Sequence, residues 1–177
     1  MTAPRRATAV FMWPHPAHWI ALGFGSGLSP KAPGTVGTLW AWLAFWALGL
    51  IFPSWGDREW LLCITASTLV GWWACTRCAQ HLGIGDPGAI VWDEVVAFWL
   101  VLWLAAPMGF VGQLVAFGLF RFFDAAKPGP VAWADRLFKL QPGEPIGWRQ
   151  GFGILLDDFV AAGCTLAVIA VYRFALA

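Results

Sequence analysis

The sequence has little charge. Asp, Glu, Lys and Arg together make up 12% of its 177 residues, against 59% hydrophobic residues. That share is too small to cover the core of a water-soluble domain of this length, so the composition excludes one. The charges nearly cancel, to a formal net charge of +1, and no run of Lys or Arg occurs, which excludes nucleic acid as a partner. Cysteine is scarce, and only Cys75 and Cys78 have the C-x-x-C spacing of a metal or redox pair. With no second pair nearby they read as small packing residues, as do Cys63 and Cys164 within apolar stretches. His15, His18 and His81 fall outside every charged motif, which gives them surface or interfacial roles. Arg5 and Arg6 lie near the N-terminus, but Pro14 and Pro16 break the apolar stretch after them, so this segment does not read as a cleaved signal peptide.

Long apolar runs are present instead. Val36 to Phe52 and Trp60 to Thr76 carry no charge, and each is long enough for a membrane helix. Val95 to Phe120 is also uncharged but has Pro107, Gly109 and Gly112 in its middle, which predicts two helices and a tight turn, from about Ile90 to Ala106 and from Phe110 to Ala126. A last span runs from Phe152 to Phe174. Gly25 to Thr38 is rich in Gly and Pro and predicts a loop, with Thr35 or Thr38 capping the next helix. The fold class is all-α: one membrane-embedded domain over residues 1–177, a bundle of about five transmembrane helices behind a Gly/Pro-rich loop, with residues 1–18 as a flexible or interfacial segment. The fourteen Trp predict aromatic belts at the membrane interfaces.

Five spans place Arg5, Arg6, Lys31, Arg77, Arg121, Lys127, Arg136, Lys139 and Arg149 on one side and only Arg58 and Arg173 on the other. The positive-inside rule makes the first side cytoplasmic. Asp86, the Asp93 and Glu94 pair, Asp124, Asp135, and the Asp157 and Asp158 pair lie on or near the same face, which that rule does not require. An acid within a membrane helix costs roughly 2.5 to 3.5 kcal/mol, so these acids need partners.

In Phe120-Arg121-Phe122-Phe123-Asp124-Ala125-Ala126-Lys127 the charges recur every third residue, on one broad helix face. A carboxylate between two cations suits a site that holds a phosphate and a metal together; the alternative is a snorkelling helix end with an internal ion pair. Acids at a helix start also offset the positive end of the dipole, which accounts for one member of each adjacent pair better than for both. Clustered carboxylates without His or Cys favour a hard cation, Mg²⁺ first. The Gly25 to Thr38 loop lacks the Gly-Lys-Ser/Thr ending of a Walker A loop, yet its backbone N–H groups and Lys31 are suited to cradle a phosphate.

Gly23-Phe24-Gly25-Ser26-Gly27-Leu28-Ser29-Pro30 with Pro33-Gly34-Thr35, then Ile90-Val91-Trp92-Asp93-Glu94, then Phe120 to Asp124 with Lys127-Pro128-Gly129-Pro130, then Gly153 to Asp158, resemble in order the motifs of the bacterial phosphatidylglycerophosphatase A family. The resemblance covers about residues 20 to 165. It implies a Mg²⁺-dependent phosphatase of the inner membrane, its site facing the cytoplasm, that converts phosphatidylglycerophosphate in the bilayer to phosphatidylglycerol. Asp93, Glu94, Asp124, Asp157 and Asp158 would then bind the metal collectively, with Asp93, Glu94, Asp124 and Asp158 catalytic, and Ser29, Lys31, Thr35, Arg121 and Lys127 would bind the substrate phosphate. Attack by a metal-activated water and formation of an aspartyl-phosphate are both compatible with these residues. The competing class is a cation-coupled transporter, which would place its acids near the membrane midplane, often on broken helices.

Overall fold

The computed structural model describes residues 5–176 of the chain, and among these it contains helices and no strand. Two short helices, α1 (Ala9–Met12) and α2 (Pro16–Ala21), precede a 3-10 segment over Gly23–Leu28. Then come α3 (Pro33–Ile51), α4 (Asp57–Leu82), α5 (Trp92–Leu104), α6 (Phe110–Ala126), α7 (Pro130–Leu137) and α8 (Trp148–Leu176).

α5 is the axis of the bundle, packed against α3, α4, α6 and α8. Its sequence explains the position, because Val95, Val96, Ala97, Phe98, Val101 and Leu102 leave it apolar on every side and all are buried. A helix apolar all round belongs inside. Phe98 meets the rings of Phe117 and Phe120 from α6, and Trp99 donates its indole N–H to the Ala41 carbonyl of α3 at 2.8 Å. The outer helices turn Leu39, Leu43, Leu50, Leu61, Leu62, Leu69, Val111, Val115 and Val171 outwards. A hydrocarbon solvent accepts such a surface and water does not.

α3, α4 and α8 are long and apolar enough to cross a membrane. With 13 residues, α5 rises only about 20 Å, short of the roughly 30 Å hydrocarbon core. It works as the buried core of the bundle rather than as a full span.

Several boundaries differ from those read in the sequence. α3 starts at Pro33, which takes the N1 position where its missing N–H costs nothing; neither Thr35 nor Thr38 caps it, and the Thr38 hydroxyl donates instead to the Gly34 carbonyl at 2.9 Å. α4 and α8 start earlier than expected. In each case a Gly backbone N–H donates to the side chain three residues on, Gly56 to Glu59 at 2.9 Å and Gly147 to Gln150 at 2.9 Å, which is half of a capping box. The Gly-rich stretch is not all loop: Gly23–Leu28 forms 3-10 turns with Phe24 at φ 54 and Gly25 at φ 103. Residues 9–12 and 16–21 are helical, and α2 packs on α4 with Ala17, His18 and Ala21 buried. His18 is therefore a core residue, not a surface one. Several Trp side chains tie helices together: Trp42 and Trp46 of α3 both donate to Gln113 Oε1 of α6, at 2.7 and 2.8 Å, and Trp92 donates to the Ser67 carbonyl of α4 at 3.0 Å.

Gly27 presses so closely on the backbone carbonyl of Ala89 that a Cβ there would overlap it. Gly27→Ala is expected to destabilise the folded chain by about 1–3 kcal/mol, since rigid backbone must move. Gly49→Ala, in open space on α3, is expected to be neutral or slightly stabilising. Thermal unfolding in detergent checks both, and equal midpoints would contradict the close approach.

Candidate active site

The polar end of the bundle collects every acidic motif. Asp93 and Glu94 stand in the first turn of α5, Asp124 in the last turn of α6, and Asp157 and Asp158 in the third turn of α8, deeper than a start at Phe152 implied. Glu94, Asp124, Asp157 and Asp158 are all under a tenth exposed, and Asp93 is partly buried. Asp93 feels the charge of Glu94, Asp157 and Asp124, and Asp158 that of Asp93, Asp124, Glu94 and Asp157, so the five carboxylates form one electrostatic cluster.

Two cations hold it. Arg121 Nη1 reaches Glu94 Oε1 at 3.1 Å and Asp124 Oδ2 at 2.5 Å and donates to Thr38 Oγ1 at 3.3 Å. One guanidinium thereby links α3, α5 and α6. Lys127 terminates α6 in the left-handed conformation, φ 46, and its ammonium bridges Asp157 Oδ2 at 2.5 Å and Asp135 Oδ1 at 2.6 Å. Asp135 also receives Lys139, at 2.6 Å. Burial alone would push the Asp135 carboxyl up, but hydrogen bonds from Lys127 and Lys139 outweigh it and hold the group below the usual carboxylate range. Burial likewise works against the charge on Lys127, and its two carboxylate partners raise it above an ordinary lysine. Both groups stay ionised at neutral pH.

α3 comes close enough to complete the site only because its first turn is bare. A Cβ on Gly34 would overlap Glu94 Oε1 and stand 3.0 Å from Arg121 Nη2; one on Gly37 would stand 2.6 Å from Val91 Cβ and 3.2 Å from Glu94 Oε2. Among the described residues three buried side-chain atoms have no hydrogen-bond partner: Glu94 Oε2, Asp158 Oδ2 and Arg121 Nε. Two carboxylate oxygens and a guanidinium N–H thus remain free within the cluster. Among the described residues no three His, Cys, Asp or Glu side chains already converge as a metal cage. The donors are nevertheless all oxygen, and the two orphaned atoms are of the kind a hard cation takes.

Of the residues expected to bind phosphate, Arg121 and Lys127 stand in the cluster. Ser29 donates to the Lys31 carbonyl at 2.8 Å, closing a small turn, and Lys31 is exposed; no hydrogen bond or ion pair among the described residues ties Ser29, Lys31 or Thr35 to the carboxylates. Thr38, Gly34 and Asp135 also belong to the site; Gly34 and Thr38 lie in the stretch expected to cradle phosphate, and Asp135 among the acids expected at this face, but none of the three was expected to be a site residue. Asp135 carried a signal, standing four residues before Lys139 and eight after Lys127 in a segment whose Pro130 opens a helix.

The family model described as Phosphatidylglycerophosphatase A matches residues 19–173. The chain belongs to the phosphatidylglycerophosphatase A family. Among curated proteins, Phosphatidylglycerophosphatase A of Haemophilus influenzae is 40% identical over 159 residues, covering 89% of this chain and 88% of the relative. That of Escherichia coli is 34% identical over 155 residues, covering 88% and 82%. A Putative phosphatidylinositol-3-phosphatase of Bacteroides thetaiotaomicron is 34% identical over 165 residues, covering 89% and 93%. No solved structure matches. The names of these relatives are those of phosphatases, which leaves the transporter alternative without support.

Removing one partner of a buried ion pair costs about 3–5 kcal/mol, because the other charge stays behind unpaired. Arg121→Met is expected to lower stability by that order. Adding Glu94→Gln and Asp124→Asn to Arg121→Met is expected to recover much of the loss. Denaturant unfolding in detergent decides it: an Arg121→Met protein as stable as the wild type would contradict the cluster.

Proposed function

We propose that this chain is a membrane phosphatase that hydrolyses the terminal phosphate of phosphatidylglycerophosphate to give phosphatidylglycerol, at the cytoplasmic face of a bacterial inner membrane. The observation that carries the reading is the buried carboxylate cluster with two free oxygens beside Arg121 and Lys127, in a chain of this family. A neutral or purely structural helix bundle has no use for so many acids below its surface.

Mg²⁺ fits the oxygen-only donors and would be held by Asp93, Glu94, Asp124, Asp157 and Asp158 collectively, with Glu94 Oε2 and Asp158 Oδ2 as the free atoms. When bound, the ion neutralises phosphate charge and lowers the pKa of a water. The chain's own groups do the rest. Arg121, with its unpartnered Nε, and Lys127 hold phosphoryl oxygens and stabilise the charge that builds on them in the transition state. The other carboxylate oxygen of Asp158, Oδ1, accepts the proton of the attacking water as the water oxygen bonds to phosphorus. The bond from phosphorus to the glycerol oxygen breaks in line, and that oxygen takes a proton from solvent water, to which Asp158 later gives up the one it accepted. A cavity of about 220 Å³ lined by Asp86, Asp135, Lys139, Gln150 and Asp157 opens onto the Lys127 side of the cluster and gives the headgroup an entry. The acyl chains stay against the apolar outer helices, so no deep pocket for them is required.

The test is phosphate release by the purified, detergent-solubilised chain from phosphatidylglycerophosphate and from phosphatidic acid, with Mg²⁺ and then with chelator. Release from phosphatidylglycerophosphate that the chelator abolishes is expected. Glu94→Gln and Asp158→Asn are expected to stay folded and lose turnover by about 10²-fold or more, the scale of one lost transition-state contact. No release from either lipid would overturn the function, and near-normal turnover in both variants would overturn the acidic site.

A further inference from the structure

A second polar site lies where the N-terminal segment crosses the end of α4. The Arg5 backbone N–H donates to the Leu82 carbonyl at 2.9 Å, which sets Arg5 and Arg6 over three imidazoles. The ring centroids of His15, His18 and His81 are 5.1 to 5.2 Å apart in every pairing. Hydrogen bonding assigns their protons. The Phe11 carbonyl, 2.7 Å from His18 Nδ1, can only accept, so His18 carries its proton there. His18 Nε2 then accepts from His81 Nδ1 at 2.8 Å. His15 Nδ1 accepts the Ala17 N–H at 3.1 Å, which puts its own proton on Nε2, free to donate.

These groups line a cavity of about 580 Å³ to which no Asp or Glu contributes. Among the described residues neither Arg5 nor Arg6 takes part in an ion pair, and none of the five carboxylates of the active site lines the cavity. Val10, which lines the cavity, is 84% exposed, and Trp13, next in sequence to the lining residue Pro14, is 74% exposed, with Trp19 donating to the Trp13 carbonyl at 3.4 Å. Unpaired arginines and a free imidazole N–H form a donor set for a phosphate, and exposed Val and Trp beside them belong at the boundary between headgroups and acyl chains. We propose that this cavity binds the phosphate of an anionic phospholipid, at a lipid site separate from the carboxylate cluster. A free phosphate would be met by the same donors but would leave Val10 and Trp13 without a partner.

The experiment is native mass spectrometry of the delipidated, detergent-solubilised full chain titrated with phosphatidylglycerol, phosphatidylcholine or inorganic phosphate, all with chelator present so that no metal-dependent binding or turnover contributes. The wild type is expected to retain one phosphatidylglycerol in preference to phosphatidylcholine. Arg5→Gln/Arg6→Gln, which keeps side-chain length, is expected to weaken phosphatidylglycerol binding about tenfold or more, as loss of two interfacial cations implies. Its unfolding midpoint and its phosphate release in neutral-detergent micelles should not change. Equal phosphatidylglycerol affinity in wild type and variant would overturn the proposal. Displacement of the lipid by millimolar inorganic phosphate would overturn its assignment to a lipid. Because the binding assay uses neither metal nor turnover, failure here is distinct from failure of the phosphatase reading.

Discussion

The bundle has to keep five carboxylates out of water at one end, and the pairing of Arg121 with Glu94 and Asp124 is the interaction that makes this tolerable. Each buried acid carries a desolvation penalty of several kcal/mol, and a lone guanidinium in the same place would carry one of its own. Sharing one Arg121 nitrogen between acids of α5 and α6 offsets both, and Lys127 repeats the device between Asp135 and Asp157. The balance is incomplete, since Glu94 Oε2, Asp158 Oδ2 and Arg121 Nε stay unpartnered. A protein that needed these acids only for stability would have little reason to leave such atoms free; one that lends them to a metal and a phosphate does.

The surrounding architecture is built to meet that requirement. α5 is short and apolar on all sides, so it sits at the centre and presents its first turn, with Asp93 and Glu94, to the polar end. Gly34 and Gly37 let α3 close over that turn. Indole N–H groups, which would be costly to bury unmet, cross between helices to Ala41, Ser67 and Gln113. They fix the helix neighbours without adding charge to the apolar interior.

Much of this was legible in the sequence, for identifiable reasons. The limits of α6 could be read at both ends because Gly109 and Pro128 punctuate them. Its charged residues fall on one face, so Arg121, Asp124 and Lys127 were visible as a unit before their partners were known. The starts of α3, α4 and α8 were misread because their signals are quiet: a proline at N1, and glycines whose backbone N–H is met by Glu59 or Gln150 three residues on. The roles of Asp135 and Thr38 depend on long-range geometry, a short helix folding back on α8 and a hydroxyl turned toward Arg121 across the bundle. The spacing of Asp135 from Lys139 was a local signal, but no local pattern encodes the contact of either residue with the cluster. The Gly-rich stretch was expected to cradle phosphate through its backbone N–H groups and Lys31, with Ser29 and Thr35 beside them; within that same stretch Gly34 and Gly37 make the close contact with the cluster.

Binding of a divalent cation by the free carboxylate oxygens is the step on which the proposed chemistry depends. Mn²⁺ is a spectroscopic stand-in for Mg²⁺ at oxygen sites, and titration of the full chain in detergent, followed by the electron paramagnetic resonance of free Mn²⁺, reads that binding directly. Saturable uptake by the wild type, displacement by excess Mg²⁺, and loss of uptake in a folded Glu94→Gln/Asp158→Asn variant are the expected results. Equal uptake by wild type and variant, or no uptake by a wild type that is active in chelator, would contradict a metal site built from these acids.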